Sequence, residues 1–265
     1  MSGTGQDSKS PPPEPFPTVF DRLSPADIQL DPFPHIVKEQ ALDPVLCERL
    51  IETRIVHHDT RAMAKNRASN QRIAFHAHAM RTPDIIDEAW KAFARAHSAP
   101  EVTLRVAEIF AGHWPDHLPD IAWLREARFV LFGGDAHGQA EVRTDARLEL
   151  IGPSLGPPWS HRASHVDAGN RLFSALFYLR APDDETTGGG LDLFRYKNGP
   201  PDKIDVFELG DDLIEKIATV PYQANTLVVF PNSPFAIHGS KPRGHSERDR
   251  AYVFITAEVN NNLFG

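Results

Sequence analysis

Cysteine is almost missing from this chain: Cys47 is the one thiol in 265 residues. That excludes an internal disulfide and any cysteine-built metal site. Long apolar runs are missing as well, and nothing approaches the roughly 18 residues that a membrane-spanning helix needs. Positive charge is in deficit, with 28 Lys plus Arg against 36 Asp plus Glu and a net charge of −8. Counterion release requires a dense basic surface, so nucleic acid is not expected as a partner. The amino-terminal stretch lacks the apolar core of a secretory leader, and a cytoplasmic address with no membrane association is expected.

What is present fits an ordinary folded protein, 41% hydrophobic and 24% charged. The unusual entries are 13 histidines and 23 prolines, among which only spacing can select. Residues 1–17 (MSGTGQDSKSPPPEPFP) form a Pro-rich tail expected to be disordered, and 18–265 form one domain. Within that domain, 18–124 reads as mainly helical and 125–265 as strands, with folded packing starting near Phe33. Asp43-Pro44 gives an N-cap and a first-turn proline ahead of Val45, Leu46, Leu50, Ile51 and Ile55 at helical spacing. Thr82-Pro83 announces a second helix and Pro100 a third. Past residue 125 short β-branched and aromatic runs follow: Arg128–Phe132, Arg147–Ile151, Arg171–Leu179, Gly190–Tyr196, Thr226–Phe230 and Arg250–Val259. Residues 204–221 suit either a helix or a strand. Helices followed by many short strands predict an α+β domain, with a helical layer against an antiparallel β barrel.

The sharpest local signal is Ser164-His165-Val166-Asp167, ahead of the strand at Arg171. Residues two apart in an extended segment face the same side, so His165 and Asp167 can offer an imidazole nitrogen and a carboxylate oxygen to one point. His238 is the best third ligand, with His245 next in line and His161 a competitor for the first position. Two histidines and one carboxylate leave open coordination positions, the arrangement used by non-haem Fe(II) oxygenases.

Five segments together carry a family resemblance: SHVD (164–167), RLFSALFYLR (171–180), GGGLDLFRY (188–196), NTLVVFPNSPFAIHGSKPR (225–243) and RAYVFITAEV (250–259). In this order they resemble the Fe(II)/2-oxoglutarate-dependent oxygenases, in the prolyl-4-hydroxylase-like branch, over residues 125–260. The resemblance implies a double-stranded β-helix, or jelly-roll, core with an N-terminal helical layer. It implies Fe(II), 2-oxoglutarate and O₂ as cofactor and cosubstrates, with succinate and CO₂ released as a small-molecule or amino-acid-type substrate is hydroxylated. Matched residue by residue, His165, Asp167 and His238 correspond to the iron ligands and Tyr178 to a tyrosine that contacts 2-oxoglutarate. Halogenases of this kind carry a small residue where Asp167 stands, so hydroxylation or another oxidation is expected here rather than halogenation. A cupin-like metal enzyme without 2-oxoglutarate and a jelly-roll binding module without catalysis are the competing readings.

The cosubstrate's second carboxylate needs a buried cation, and a planar guanidinium suits it. Arg250 and Arg248, both on one side of an extended strand, are the candidates. Arg250 is preferred because it opens the apolar run Ala251–Ala257, whereas Arg248 lies in a polar stretch with acids beside it. Residues 54–81 hold six Lys or Arg against the single acid Asp59, plus four histidines, and Ile73, Phe75, Ala77 and Ala79 alternate as in an edge strand. Such a segment beside the site would favour an anionic substrate.

Overall fold

The computed structural model describes residues 16–54, 71–81, 86–134, 140–160, 162–201 and 208–264. Helix α1 (Pro44–Glu52) starts where the sequence places it: the Asp43 carboxylate accepts the N–H groups of Val45 and Leu46, and Pro44 occupies the first turn. A short helix α2 (Ala77–Met80) follows the Arg72–Phe75 strand. Helix α3 (Glu88–His97) is capped by Asp87, later than Thr82-Pro83 suggests, and those two residues lie outside the described ones. Helix α4 (Pro100–Ile109) begins at its proline, and α5 (Ile121–Glu126), which carries too short an apolar pattern to be read from sequence, is capped by Asp120.

Among the described residues ten strands form two sheets. They are β1 (Ile36–Lys38), β2 (Arg72–Phe75), β3 (Phe129–Leu131), β4 (Val142–Ile151), β5 (Arg171–Tyr178), β6 (Leu191–Tyr196), β7 (Ile214–Val220), β8 (Leu227–Pro231), β9 (His238–Ser240) and β10 (Arg250–Val259). The larger sheet runs β1-β8-β5-β10-β4-β2, with β3 beside β4, and the smaller runs β7-β6-β9. Apart from the parallel β3–β4 pair, all of these pairings are antiparallel. This mixed α+β arrangement fits a jelly-roll core.

Registration of the central strands sorts their side chains into two faces. Tyr252 sits opposite both Tyr178 and Glu149, and Phe254 opposite both Leu176 and Arg147. This face joins Leu191, Leu193, Val220 and Val228 in the apolar cluster between the sheets. The alternate face, with Leu148, Leu150, Phe173, Phe177, Val253 and Ile255, joins Trp90 and Phe93 of α3 in the larger core. Phe93 stacks on Phe177 with ring centroids 6.0 Å apart.

Several expectations need correcting. Folded packing begins well before Phe33, since Val19 and Phe20 are fully buried; residues 1–15 of the tail lie outside the described ones. Strand β4 starts at Val142, not Arg147, and its inward positions carry Asp145, Arg147 and Glu149, which hides its alternation from a hydrophobicity reading. Ala77 and Ala79 belong to a helix, although Ile73 and Phe75 do lie on an edge strand. Residues 204–221 contain β7, with 202–207 outside the described residues. Cys47 is a buried packing residue whose thiol burial pushes up to about 12, far from reactivity.

One buried histidine ties the amino-terminal segment to α3. His97 Nδ1–H donates to the Phe93 carbonyl at 2.9 Å, and Nε2 accepts the Val19 N–H at 3.0 Å. Burial lowers its pKa to about 4, whereas in the unfolded chain it takes a proton near its ordinary 6.5. The stability this group contributes is therefore complete above pH 6.5 and is lost as pH falls through that value towards 4, about 3 kcal/mol in all. Denaturant midpoints at pH 7 and pH 4.5 check this. The non-titrating His97→Gln should lose clearly less stability over the interval, and an equal loss in both proteins would contradict the assignment.

Candidate metal centre

His165 stands in an antiparallel bridge with His238, the first residue of β9: His165 N–H donates to the His238 carbonyl at 2.9 Å and His238 N–H returns at 3.0 Å. That pairing brings together two histidines 73 positions apart in sequence, with ring centroids 4.4 Å apart. Asp167, two residues on, falls on the same side, as the extended spacing predicts. His165 Nε2 lies 3.6 Å from Asp167 Oδ1, and His238 Nε2 lies 3.6 Å from Oδ2. One ligand atom from each of the three residues lies within 4.8 Å of the others, and all three residues are buried. His245, the reserve third ligand, is exposed and outside this group, and His161 lies outside the described residues.

Each imidazole is held in one tautomer. His165 Nδ1–H donates to Ala163 O at 2.7 Å, and His238 Nδ1–H donates to Ala236 O at 2.9 Å, which leaves both Nε2 lone pairs facing the cluster. Burial lowers the His238 pKa to about 4, so it is a neutral donor near pH 7. Burial alone would raise Asp167, but Arg171, His238 and His165 hold its carboxyl well below the usual range. Its oxygens are fixed from two sides: Arg171 Nη1 lies 2.5 Å from Oδ1, and Ser174 Oγ–H donates to Oδ2 at 2.5 Å. Arg171 opens β5, is anchored by Glu258 at 3.4 Å, and lies over the Phe254 ring at 5.0 Å. Two imidazoles with their Nε2 atoms turned inward and one ionised carboxylate suit a divalent transition metal and leave positions free for other ligands.

The same face of the larger sheet carries Arg250. It is 2% exposed and opens β10, and its Nε–H donates to the Gly189 carbonyl at 2.5 Å. Its Nη1 and Nη2 are buried without a hydrogen-bond partner, and so is Tyr178 Oη. The guanidinium is ringed by Tyr178, Tyr222 and Tyr252, with centroids 5.4, 5.3 and 4.5 Å away. Burial pushes the Tyr178 phenol up to about 12, with Arg250 opposing, so it stays a proton donor. Three convergent unmatched donors in an aromatic cage form a receptor for a carboxylate. Arg248 is different: it lies in a bend before the strand, is 54% exposed, and pairs with Asp183. The expectation that Arg248 and Arg250 share one side of a strand therefore fails, because the strand starts at Arg250.

Gly189 earns its place in the Gly-rich turn. Its φ of +74° sits where side chains rarely go, and that backbone aims its carbonyl at Arg250. Next to it, a Cβ on Gly188 would meet the Pro242 carbonyl oxygen at 1.9 Å.

A cavity of about 140 Å³ is lined by the three clustered residues and by Arg72, Arg147, Glu149, Arg162, Arg171, Tyr252 and Phe254, among others. Sequence reading found Arg72 but missed the other three arginines. Their signal was faint: charged residues at alternate positions of an apolar strand, and arginines flanking His-x-Asp. Arg72 is bidentate to the buried Glu149, so the described part of the basic segment brings an already neutralised cation. Arg61, Lys65 and Arg67 lie outside the described residues. Among the polar residues nearby, Ser174 serves the site through Asp167. Asn170 donates to Val259 O, and Asn225 bonds Leu42 on a separate surface groove. Trp159 is half exposed and borders the Arg243–Arg250 side.

Residues 158–255 match the model of the 2OG-Fe(II) oxygenase superfamily. No curated protein sequence gives a match. Among solved structures, a putative oxygenase from Shewanella oneidensis aligns at TM-score 0.50 and 15% identity, covering 85% of this chain and 82% of that one. A prolyl-4-hydroxylase from Pseudomonas putida aligns at TM-score 0.46 and 15% identity, covering 88% and 96%. The epimerase SnoN, solved with Fe³⁺, alpha-ketoglutarate and nogalamycin RO, aligns at 0.46 and 14%, covering 91% and 83%. The Shewanella likeness extends the shared fold across most of the chain. The matched segment contains His165, Asp167, His238 and Arg250 together, and over these residues the chain is similar to the 2OG-Fe(II) oxygenase superfamily, an enzyme family that uses Fe(II), 2-oxoglutarate and O₂.

Proposed function

We propose that this oxygenase hydroxylates a small molecule or amino-acid-type substrate carrying an acidic group. In this reading His165, Asp167 and His238 hold Fe(II), and Arg250 with Tyr178 holds the distal carboxylate of 2-oxoglutarate. The observation that carries it is the pairing of a tautomer-fixed His/Asp/His cluster with a buried arginine whose two terminal nitrogens lack partners. A cupin-like enzyme without 2-oxoglutarate, or a non-catalytic module, leaves that guanidinium unexplained. Support for an N-terminal helical layer comes from α3 and α4, whose apolar residues share one cluster with the far face of the larger sheet. Among the described residues no helix is long and apolar enough to cross a membrane.

When bound, the iron supplies the O₂-dependent oxidation of a substrate C–H bond while 2-oxoglutarate is converted to succinate and CO₂. The protein's own residues do the positioning. The Ala163 and Ala236 carbonyls keep the two Nε2 atoms aimed at the metal position. Arg171 and Ser174 keep Asp167 ionised and fix its rotation, and the tyrosine cage keeps water from the Arg250 end.

Two measurements follow. Aerobic incubation with Fe(II), 2-oxoglutarate and a panel of small organic acids should yield succinate in step with a substrate mass gain of one oxygen. Oxidation without succinate would point to the cupin-like alternative. Ser174→Ala removes one of the two groups that fix Asp167 and should weaken Fe(II) binding by about tenfold, in the range for such supporting contacts. Undiminished affinity would show that Arg171 alone suffices.

A further inference from the structure

Charged side chains around the metal cavity can be matched with their counter-charges one at a time. Arg72 forks onto Glu149. Arg147 Nε lies 2.6 Å from Glu149, and its Nη1 lies 3.4 Å from Asp145. Arg171 is shared by Asp167 and Glu258. Three arginines thus take up every carboxylate that reaches the cavity, and one cation is left over. Arg162 lines the same cavity, and among the described residues its guanidinium has neither an ion pair nor a hydrogen bond.

Its backbone is not loose. Ser240 N–H donates to the Arg162 carbonyl at 3.0 Å, and Ser160 Oγ–H donates to the same oxygen at 2.8 Å. Ser240 is two residues from His238 on β9, so Arg162 is registered against the metal cluster by the sheet. The side chain is half-buried, and burial pushes its guanidinium below the ordinary arginine value, with Arg171 and Arg72 adding repulsion and Asp167 opposing. A partly desolvated, unmatched cation fixed beside a reaction centre is costly until an anion joins it.

We infer that Arg162 is the substrate-anchoring residue, and that it receives a single carboxylate or phosphate group of the molecule to be oxidised. This rests on the oxygenase reading and makes its substrate class specific. A planar guanidinium binds either oxyanion through two parallel N–H···O bonds, so the shared chemistry is a terminal oxyanion. It also reassigns the source of that preference: the sequence pointed to the basic segment 54–81, but Arg72, which that segment brings to the cavity, is already matched by Glu149.

The test uses the full chain loaded with Fe(II) under nitrogen and saturated with 2-oxoglutarate, which fills the Arg250 end. Benzoate, phenyl phosphate and benzamide are titrated calorimetrically into wild type, Arg162→Ala and Arg162→Lys. At least one anion should bind wild type about tenfold or more tightly than benzamide, with the stronger of the two identifying a carboxylate or a phosphate substrate. Arg162→Ala should abolish that preference, Arg162→Lys should retain part of it, and the 2-oxoglutarate affinity should not change in either. Equal binding of benzamide, or a preference that survives in Arg162→Ala, would overturn the inference. So would a tenfold loss of 2-oxoglutarate affinity in Arg162→Ala, which would move Arg162 to the cosubstrate. Repeating the titration without metal separates the two readings: failure to take up iron and 2-oxoglutarate sinks the oxygenase assignment, while the anion preference still decides Arg162.

Discussion

Replacing His165, Asp167 or His238 with Ala should lower Fe(II) affinity by more than about a hundredfold and abolish turnover. Loss of a supporting contact typically costs ten- to a hundredfold, and loss of the coordinating atom itself must exceed that. The three variants differ in what they leave behind. Asp167→Ala strands Arg171 beside the two imidazoles, with Glu258 as its remaining partner. His238→Ala spares the Asp167 contacts with Arg171 and Ser174 and should fold best. His245→Ala is the internal control, because that residue is exposed and outside the cluster. Equilibrium iron binding read by metal analysis checks all four. Wild-type affinity in His238→Ala would remove the third ligand from this position.

Arg250→Ala should raise the dissociation constant of 2-oxoglutarate by about a hundredfold or more, while leaving Fe(II) binding within a few-fold of wild type. A carboxylate buried among Tyr178, Tyr222 and Tyr252 without its cation costs several kcal/mol, and each 1.4 kcal/mol is tenfold in affinity. Arg248→Ala should do nothing measurable, since its exposed pair with Asp183 is screened by solvent. Tyr178→Phe, which removes only the unmatched hydroxyl, should cost about tenfold. The opposite order, a large effect at Arg248 and none at Arg250, would relocate the anchor.

The parts of this site that were legible in the sequence share one physical feature: they follow strand periodicity. His-x-Asp reads correctly because alternate residues of an extended segment face one way. The burial of Arg250 was legible because it opens an uninterrupted apolar strand. The His165–His238 bridge was legible only through the order of motifs, since no local pattern announces a contact across 73 positions. Where periodicity and burial part company, the reading fails. Strand β4 carries buried Asp145 and Glu149 and half-buried Arg147 at alternate positions, so half of its length looked like loop. Arg162 and Arg171 are ordinary arginines in composition, and only the pairing of their neighbours distinguishes the matched from the unmatched. The early start of packing at Val19 and Phe20 was hidden by the adjoining Pro-rich tail.

The most direct measurement is an anaerobic titration of the full chain with Fe(II) and then 2-oxoglutarate, followed in the visible spectrum. One equivalent of each should produce a weak charge-transfer band that appears only when both are present. The band should be absent in Asp167→Ala, and in Arg250→Ala it should shift to much higher 2-oxoglutarate concentration. Stoichiometric iron binding without a band at any 2-oxoglutarate concentration would contradict chelation of the cosubstrate at the His165–Asp167–His238 centre.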